Sequence, residues 1–172
     1  MKNYKLSDET KTLPWGTVLH RVVATTTFTL ACGVTVTEGD VGGWIEKESN
    51  LSDNAWVIGD AMIYGDALVY DDALVYGDAQ IYGDAEVSGG AKISGDAKIT
   101  NASDYIVFKN NWSSSRYFTW TKSNDKWAVG CFCGTGDELI KKAYADSEDN
   151  GKHYEAYVTL VETIMKNVEK PK

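Results

Sequence analysis

Two histidines are the residues of this 172-residue chain best suited to acid-base chemistry. His20 lies in a stretch rich in β-branched residues, and His153 lies at the start of a predicted C-terminal helix. A histidine acts as a general base when a nucleophile or a carboxylate is within hydrogen-bond reach. Neither histidine has such a partner nearby in sequence. A structural role is therefore the first interpretation of each, catalysis between neighbouring protomers is the alternative, and no catalytic residue is predicted.

Aspartates and cysteines raise the question of a metal site. Glycine-rich repeats that bind Ca²⁺ have a period of nine, whereas an aspartate recurs here every six residues, so we expect it to hold a turn through backbone N–H groups. Cys131 and Cys133 could form half of a metal site on one strand face, but the sequence has no second cysteine pair. We predict no metal ligand and no cofactor. The recurring aspartates are Asp60, Asp66, Asp72, Asp78, Asp84 and Asp96.

An arginine close to several aromatic residues is the best candidate for ligand binding. Tyr117, Trp120 and Trp127 suit the core of a sheet, yet an exposed pair near Arg116 could bind a base or a nucleotide by stacking. We predict these four residues as the ligand-binding set. The segment 134–136 before a helix could seat an anion on free N–H groups. It lacks the lysine and the spacing of a phosphate loop, which favours a helix cap.

A strict six-residue repeat runs from Leu51 to Ser103. Its unit is x-(Val/Ile)-x-Gly-Asp-Ala, with one branched apolar residue and one alanine per unit. This period is typical of a parallel β-helix, in which triangular coils of roughly 18 residues stack on one another. Residues 18 apart then form inner ladders. The predicted ladders are Val57, Val75 and Ile93; Ile45, Ile63, Ile81 and Ile99; and Leu51, Val69 and Val87.

The outward positions are apolar in the first two coils and polar in the third, as at Glu86, Lys92 and Ser94. An apolar surface of that size is normally covered, here by the leader, by the C-terminal segment or by another copy of the chain. Stacked tyrosines also stabilise β-ladders, and an aromatic track for a ligand is a further alternative. We predict an oligomer interface on this outer skin, with a trimer favoured. The outer skin comprises Trp56, Ile58, Leu74 and Tyr76 on the first side of the triangular coils, Met62, Tyr64 and Tyr82 on the second side, and Leu68 and Tyr70 on the third side.

The chain divides into a β leader or cap over 1–43, the repeat over 44–103 and a C-terminal α+β module over 104–172. In the leader, the stretch 17–24 is rich in β-branched residues and predicts a strand.

The C-terminal module is predicted to contain three strands followed by two helices over 137–147 and 152–169. The second helix carries an apolar stripe that packs on the sheet. Such a module would also close the open end of the β-helix. The strands are predicted over 105–108, 116–121 and 126–132. The stripe consists of Tyr157, Leu160, Val161, Ile164, Met165 and Val168.

The composition argues against two classes of partner. The chain has 25 acidic and 17 basic residues, a net charge of −8, and nucleic-acid binding needs a clustered basic surface. Apolar segments are too short to cross a membrane, and the start does not resemble a signal peptide. Three cysteines fit a reducing compartment. We therefore expect a cytoplasmic protein without a membrane or nucleic-acid partner.

The hexads resemble the left-handed β-helix of the hexapeptide-repeat acyltransferases over about a third of the chain. The resemblance implies a mostly β protein with a left-handed parallel β-helix of triangular hexapeptide coils. Enzymes of that family are typically trimers that use a histidine as general base and bind an acyl carrier between neighbouring helices. The repeat of this chain contains no histidine. We therefore carry over the fold, and keep an acyltransferase-like enzyme as an alternative.

A second resemblance covers nearly the whole chain. The segments 4–10, 19–22, 39–46 and 130–135 are similar to a largely uncharacterised family of bacteriophage and prophage proteins. This resemblance implies a phage accessory protein in the cytoplasm of a bacterial host. We predict a non-catalytic, homo-oligomeric scaffold that binds a host protein or a small nucleotide ligand, as in counter-defence. A structural phage component is the remaining alternative.

Overall fold

The structure, a computed structural model, describes residues 2–52 and 54–168. It is mostly β: a β-solenoid of about three turns with parallel strands lies between an antiparallel leader and a C-terminal α+β module. The predicted fold class is confirmed, and the left-handed sense of the coil stays an expectation from the resemblance. Within the described residues, no helix is long and apolar enough to span a membrane.

The leader extends one side of the solenoid as an antiparallel sheet. β1 (Tyr4–Thr12) pairs with β2 (Val18–Ala24), and β2 pairs with β5 (Val41–Ile45). β5 then pairs in parallel with the solenoid at Ile63. The leader thereby covers a sheet edge that would otherwise be open. The strand predicted over 17–24 is β2. The leader strands are β1 (Tyr4–Thr12), β2 (Val18–Ala24), β3 (Phe28–Thr29), β4 (Thr35–Val36) and β5 (Val41–Ile45).

Eight two-residue strands form the solenoid in the described part of the chain, one per repeat unit. Each pairs in parallel with the strand 18 residues away, as Val57 with Val75 and Leu51 with Val69. All ten predicted ladder residues have 0 % exposure, which confirms the three ladders. The strands are β6 (Trp56–Val57), β7 (Met62–Ile63), β8 (Leu68–Val69), β9 (Leu74–Val75), β10 (Gln80–Ile81), β11 (Glu86–Val87), β12 (Lys92–Ile93) and β13 (Lys98–Ile99).

The corners of the coils need a backbone conformation that glycine adopts easily. The corner glycines have φ between +65° and +77°, where a side chain is strained. Asp71 takes a corner position at φ +59°, which aspartate tolerates better than most residues. The neighbouring aspartates tie corners to other segments: Asp66 lies 2.8 Å from the Lys47 ammonium, and Asp72 accepts the Ala31 N–H.

The C-terminal module contains a four-stranded antiparallel sheet followed by two helices. The strand predicted over 126–132 is two strands, because Gly130 at φ +58° turns the chain. The second helix begins earlier than predicted, where the Ser147 hydroxyl accepts the Asn150 N–H as a cap. Its predicted end at Glu169 lies outside the described residues. The elements are β14 (Tyr105–Lys109), β15 (Tyr117–Thr121), β16 (Lys126–Val129), β17 (Phe132–Gly134), α1 (Gly136–Asp146) and α2 (Glu148–Val168).

The buried face of α2 differs from the predicted stripe. Leu160 and Val168 are 45 % and 61 % exposed, whereas Tyr154 and Val158 are buried. Gly151 explains the difference, because a Cβ there would lie only 2.3 Å from the Tyr144 ring of α1. The missing side chain lets the two helices approach each other closely at Gly151, beside Tyr144.

The module also covers the last coil of the solenoid. Lys92 and Ser94 are 7 % and 2 % exposed, so the expectation that they form a polar outer surface is wrong. The Lys92 N–H, which has no further coil to bond, donates to the Thr119 hydroxyl at 2.9 Å. The Lys98 N–H likewise donates to the Ser123 hydroxyl at 2.7 Å. Side-chain acceptors thus terminate two sheet edges of the solenoid, one at Lys92 and one at Lys98.

Candidate functional site

The sheet of the module has two faces with different roles. Side chains alternate along a strand, so neighbouring residues of β15 point to opposite sides. Tyr117 lies on the solenoid against Gly90, whereas the Phe118 ring centroid is 5.4 Å from that of Tyr154 on α2. One face therefore anchors the module on the solenoid, and the other forms a core beneath α2.

The predicted ligand-binding set is divided between these two faces. Arg116 is exposed, and Tyr117 packs on the solenoid side. Trp120 and Trp127 are cross-strand partners on the helix side, with exposed fractions of 4 % and 1 %. Of the four residues, Trp120 and Trp127 line the same cavity. The aromatic pair is therefore the part of the prediction that the structure places at a candidate site.

This cavity of about 520 Å³ lies between the sheet, the start of α1 and the second half of α2. Pockets for small ligands typically measure roughly 300–1,000 Å³ and combine apolar walls with a few polar groups. The cavity has this composition. Its apolar wall consists of Trp120, Trp127, Val158, Val161 and Met165. Its polar lining consists of Lys122, Asp125, Thr135, Gly136, Asp137, Glu162 and Lys166.

Two of the three carboxylates at the rim are already engaged. Asp125 accepts the Trp120 indole N–H at 2.8 Å, and Glu162 lies 3.9 Å from the Lys166 ammonium, one turn away on α2. Lys122 and Asp137 have no ion-pair partner within 4.0 Å among residues 2–52 and 54–168. The rim therefore carries charges of both signs, which nearly balance.

The first turn of α1 is closed by a capping box. The Thr135 N–H donates to the Glu138 carboxylate at 2.8 Å, and the Glu138 N–H donates to the Thr135 hydroxyl at 3.3 Å. The Thr135 N–H, together with its hydroxyl, holds the pKa of Glu138 below its usual value. The predicted helix cap at 134–136 is thus present, and it lies on the wall of the cavity.

The first side of the outer skin is covered by the leader. The Phe28 ring lies edge-on to Trp56, with centroids 5.8 Å apart. Trp56 and Leu74 are 2 % and 3 % exposed, so on this side the cover is the leader, one of the three covers that the sequence allowed. Ile58 and Tyr76 are half-buried against the same core. The leader reaches this side because the segment 28–36 folds over it.

The leader also packs against the second side of the outer skin. Trp15 of the leader lies 5.8 Å from Tyr64, which stacks on Tyr82 at 5.2 Å. Tyr64 is buried, so the leader covers this part of the second side as well. On the third side, Leu68 and Tyr70 remain half-buried. The predicted oligomer interface therefore stays a prediction, and six of its nine residues are half-buried. Met62 and Tyr82 are also half-buried.

The histidines and cysteines lie apart from this cavity. His20 Nδ1 is 3.3 Å from the Ser7 carbonyl, and His153 Nδ1 is 2.6 Å from the Asp149 carbonyl. Cys131 is exposed, and the Cys133 thiol is 3.2 Å from the Ser94 hydroxyl. In the part of the chain that the structure describes, no group of three or more His, Cys, Asp or Glu side chains is placed to hold a metal ion.

Several lining residues were not singled out by the sequence. Lys122 and Asp125 flank a turn between strands, and their position at the cavity depends on where α2 packs. The sequence signal for this region is the helical spacing of Val158, Val161 and Met165. That spacing predicts a packed face, but it does not predict a gap in the packing.

Comparison with known proteins agrees with the fold of the repeat. A model of the YdcK Beta solenoid repeat matches residues 61–77 and 79–95. No curated protein matches the chain. The matched segments lie within the observed solenoid, so the central part of the chain is similar to YdcK-type β-solenoid repeats.

Proposed function

We propose that this chain is a non-catalytic binding protein that holds a small ligand in the cavity beneath α2. The observation that carries the proposal is the cavity itself, whose apolar wall includes Trp120 and Trp127 and whose rim is polar. Aromatic and aliphatic walls supply most of the affinity in such sites, and a few polar groups orient the ligand. The solenoid acts as the scaffold for this module.

The contacts between the module and the solenoid support the scaffold role. The buried Lys92 ammonium donates to the Gly130 carbonyl at 2.6 Å. The Asn124 amide donates to the Ser94 carbonyl and to the Asp96 carboxylate, each at 3.2 Å. These contacts hold the β15–β16 turn and the β16–β17 turn, which border the two tryptophans. A fixed frame of this kind keeps a binding site preorganised.

Binding in the cavity is tested with 3-phenylpropanol, a neutral probe with an apolar body, followed by two-dimensional NMR of the ¹⁵N-labelled protein. We expect saturable shifts of the Trp120 and Trp127 indole signals. Val161, which is 3 % exposed and lines the cavity, is replaced in Val161→Phe to fill the space. This variant should abolish the shifts while the protein remains folded.

The matched control is Leu160→Phe, since Leu160 is adjacent on α2 but 45 % exposed. It should bind the probe as the unchanged protein does, and both variants should retain the thermal melting midpoint within a few degrees. Absence of shifts at millimolar probe, or shifts that survive Val161→Phe, would contradict the proposal.

A phage accessory role in a bacterial host belongs to the same proposal, and the resemblance of the segments 4–10 and 39–46 supports it. The ligand would then be a small host molecule, as in counter-defence, or part of a host protein. Homo-oligomerisation, with a trimer favoured, is also part of the proposal and is supported by Leu68 and Tyr70 on the third side of the solenoid.

A further inference from the structure

Two backbone N–H groups at the start of α1 border the cavity. The first four N–H groups of a helix have no partner within the helix. Those of Glu138 and Leu139 donate to the hydroxyl and the carbonyl of Thr135. The N–H groups of Gly136 and Asp137 have no acceptor among the residues that the structure describes. Both remain available to a ligand.

A buried indole provides a third donor at the same place. Trp127 is 1 % exposed and lines the cavity. Its N–H has no acceptor in the described part of the chain, and it differs from the unpartnered indole N–H groups of Trp44 and Trp112, which are sealed from solvent. The Trp127 N–H instead opens on the cavity, where water or the acceptor atom of a ligand can accept it.

Gly136 brings this donor close to the helix start. A Cβ on Gly136 would lie 3.4 Å from Trp127 Nε1 and only 2.7 Å from Val158 Cγ1. A side chain at this position would displace Val158 of α2, whereas the indole lies at ordinary contact distance. The glycine thus lets the indole N–H, the start of α1 and the apolar wall meet at one end of the cavity.

The charges near this end favour an anion of low charge. The positive end of the α1 dipole lies here. Of the two lysines at the rim, Lys166 is paired with Glu162, which leaves Lys122 to attract an anion. Asp125 is engaged by the Trp120 N–H, and the Asp137 side chain is exposed. A doubly charged phosphate would meet the rim carboxylates, and an ammonium would face three donors.

We infer that the cavity selects a small organic carboxylate, with its carboxylate on the N–H groups of Gly136, Asp137 and Trp127 and its apolar body against Val161 and Met165. A carboxylate accepts several hydrogen bonds at once, and hydrogen bonds to an ionised acceptor are the strong ones. This inference rests on the proposed function and names its ligand class.

Three probes of equal length test the inference: 3-phenylpropanoate, 3-phenylpropanol and 3-phenylpropylamine. We expect the carboxylate to bind about tenfold more tightly than the alcohol, and the amine to bind most weakly. The carboxylate should also move the Trp127 indole proton and the Gly136 and Asp137 amide protons downfield. A higher affinity for the amine, or equal affinities for all three probes, would overturn the inference.

Variants of the cavity residues test which side chains cause the preference for the carboxylate. Trp127→Phe removes the indole donor and should weaken 3-phenylpropanoate about tenfold, with little change for 3-phenylpropanol. If this core variant does not fold, Lys122→Ala provides the test: it should weaken the carboxylate several-fold and leave the alcohol unaffected. Lys141→Ala, on an exposed part of α1, is the matched control and should change neither affinity.

The two proposals fail in different ways. If none of the three probes shifts the cavity signals, the proposed function itself is wrong. If the alcohol binds as tightly as the carboxylate and its binding is lost in Val161→Phe, the binding function stands and the carboxylate inference is wrong.

Discussion

Gly90 stands at the aspartate position of its repeat unit, and this departure from the Gly-Asp-Ala pattern has a structural reason. A Cβ at this position would lie 2.1 Å from the Tyr117 ring, far inside contact distance. The glycine replaces the usual aspartate because Tyr117 occupies the space that a side chain would need. A deviation from a strict repeat thus marks the place where another part of the chain docks.

We expect Gly90→Ala to lower the free energy of unfolding by about 1–3 kcal/mol, since overpacking at a close contact costs this much. In the background of Tyr117→Ala the same change should cost almost nothing, because the ring that it displaces is absent. A double-mutant cycle by urea unfolding measures this coupling. Equal costs in both backgrounds would show that Tyr117 is not the obstacle.

The chain leaves the last strand of the solenoid at a turn that the Asp104 carboxylate holds. Asp104 Oδ2 accepts the Thr100 N–H and the Thr100 hydroxyl, both at 2.8 Å, and the Asn101 N–H at 3.2 Å. Burial raises the pKa of Asp104, but the hydrogen bonds from Thr100 and Asn101 outweigh it and hold the pKa below its usual value. The ionised form is therefore the one that stabilises this end.

Asp104→Asn should cost about 1–2 kcal/mol of stability at pH 7, as expected for weakened hydrogen bonds to a charged acceptor. Because the pKa is lower in the folded chain, the stabilisation is fully present above the usual pKa near 3.8 and is lost as the pH falls below it. Urea unfolding of both proteins between pH 7 and pH 3 should show the difference shrinking. A difference that is independent of pH would exclude the charge as the cause.

The inner ladders of the solenoid were predictable from the sequence, and its outer cover was not. Val57 and Val75 pair because the repeat itself sets an 18-residue coil, which is information local to each unit. Lys92 looks like a surface residue by the same pattern, yet it is buried because β15 packs over it. Trp120 and Trp127 are two of the four residues predicted to bind a ligand, but the cavity beside them depends on the packing of α2, which no local pattern encodes.

At the level of the whole molecule, the leader and the module pack against different parts of the solenoid. The leader contributes Phe28 and Trp15 to the first two sides, and the module covers the last coil around Lys92. Three of the nine outer-skin residues, Trp56, Tyr64 and Leu74, are thereby buried within one chain, and the other six are half-buried. We propose that self-association uses Leu68 and Tyr70 on the third side.

Two matched changes distinguish outer-skin residues that stabilise one chain from those proposed to join chains. Trp56→Ser should lower stability by about 3–5 kcal/mol, as for other large core truncations, without changing the mass in solution, because Phe28 of the same chain covers Trp56. The double change Leu68→Ser and Tyr70→Ser should reduce the mass from three chains to one with a smaller loss of stability. Light scattering with calorimetry measures both quantities. A monomer already in the unchanged protein would remove the trimer from the proposal, and dissociation by Trp56→Ser alone would place the interface on the first side.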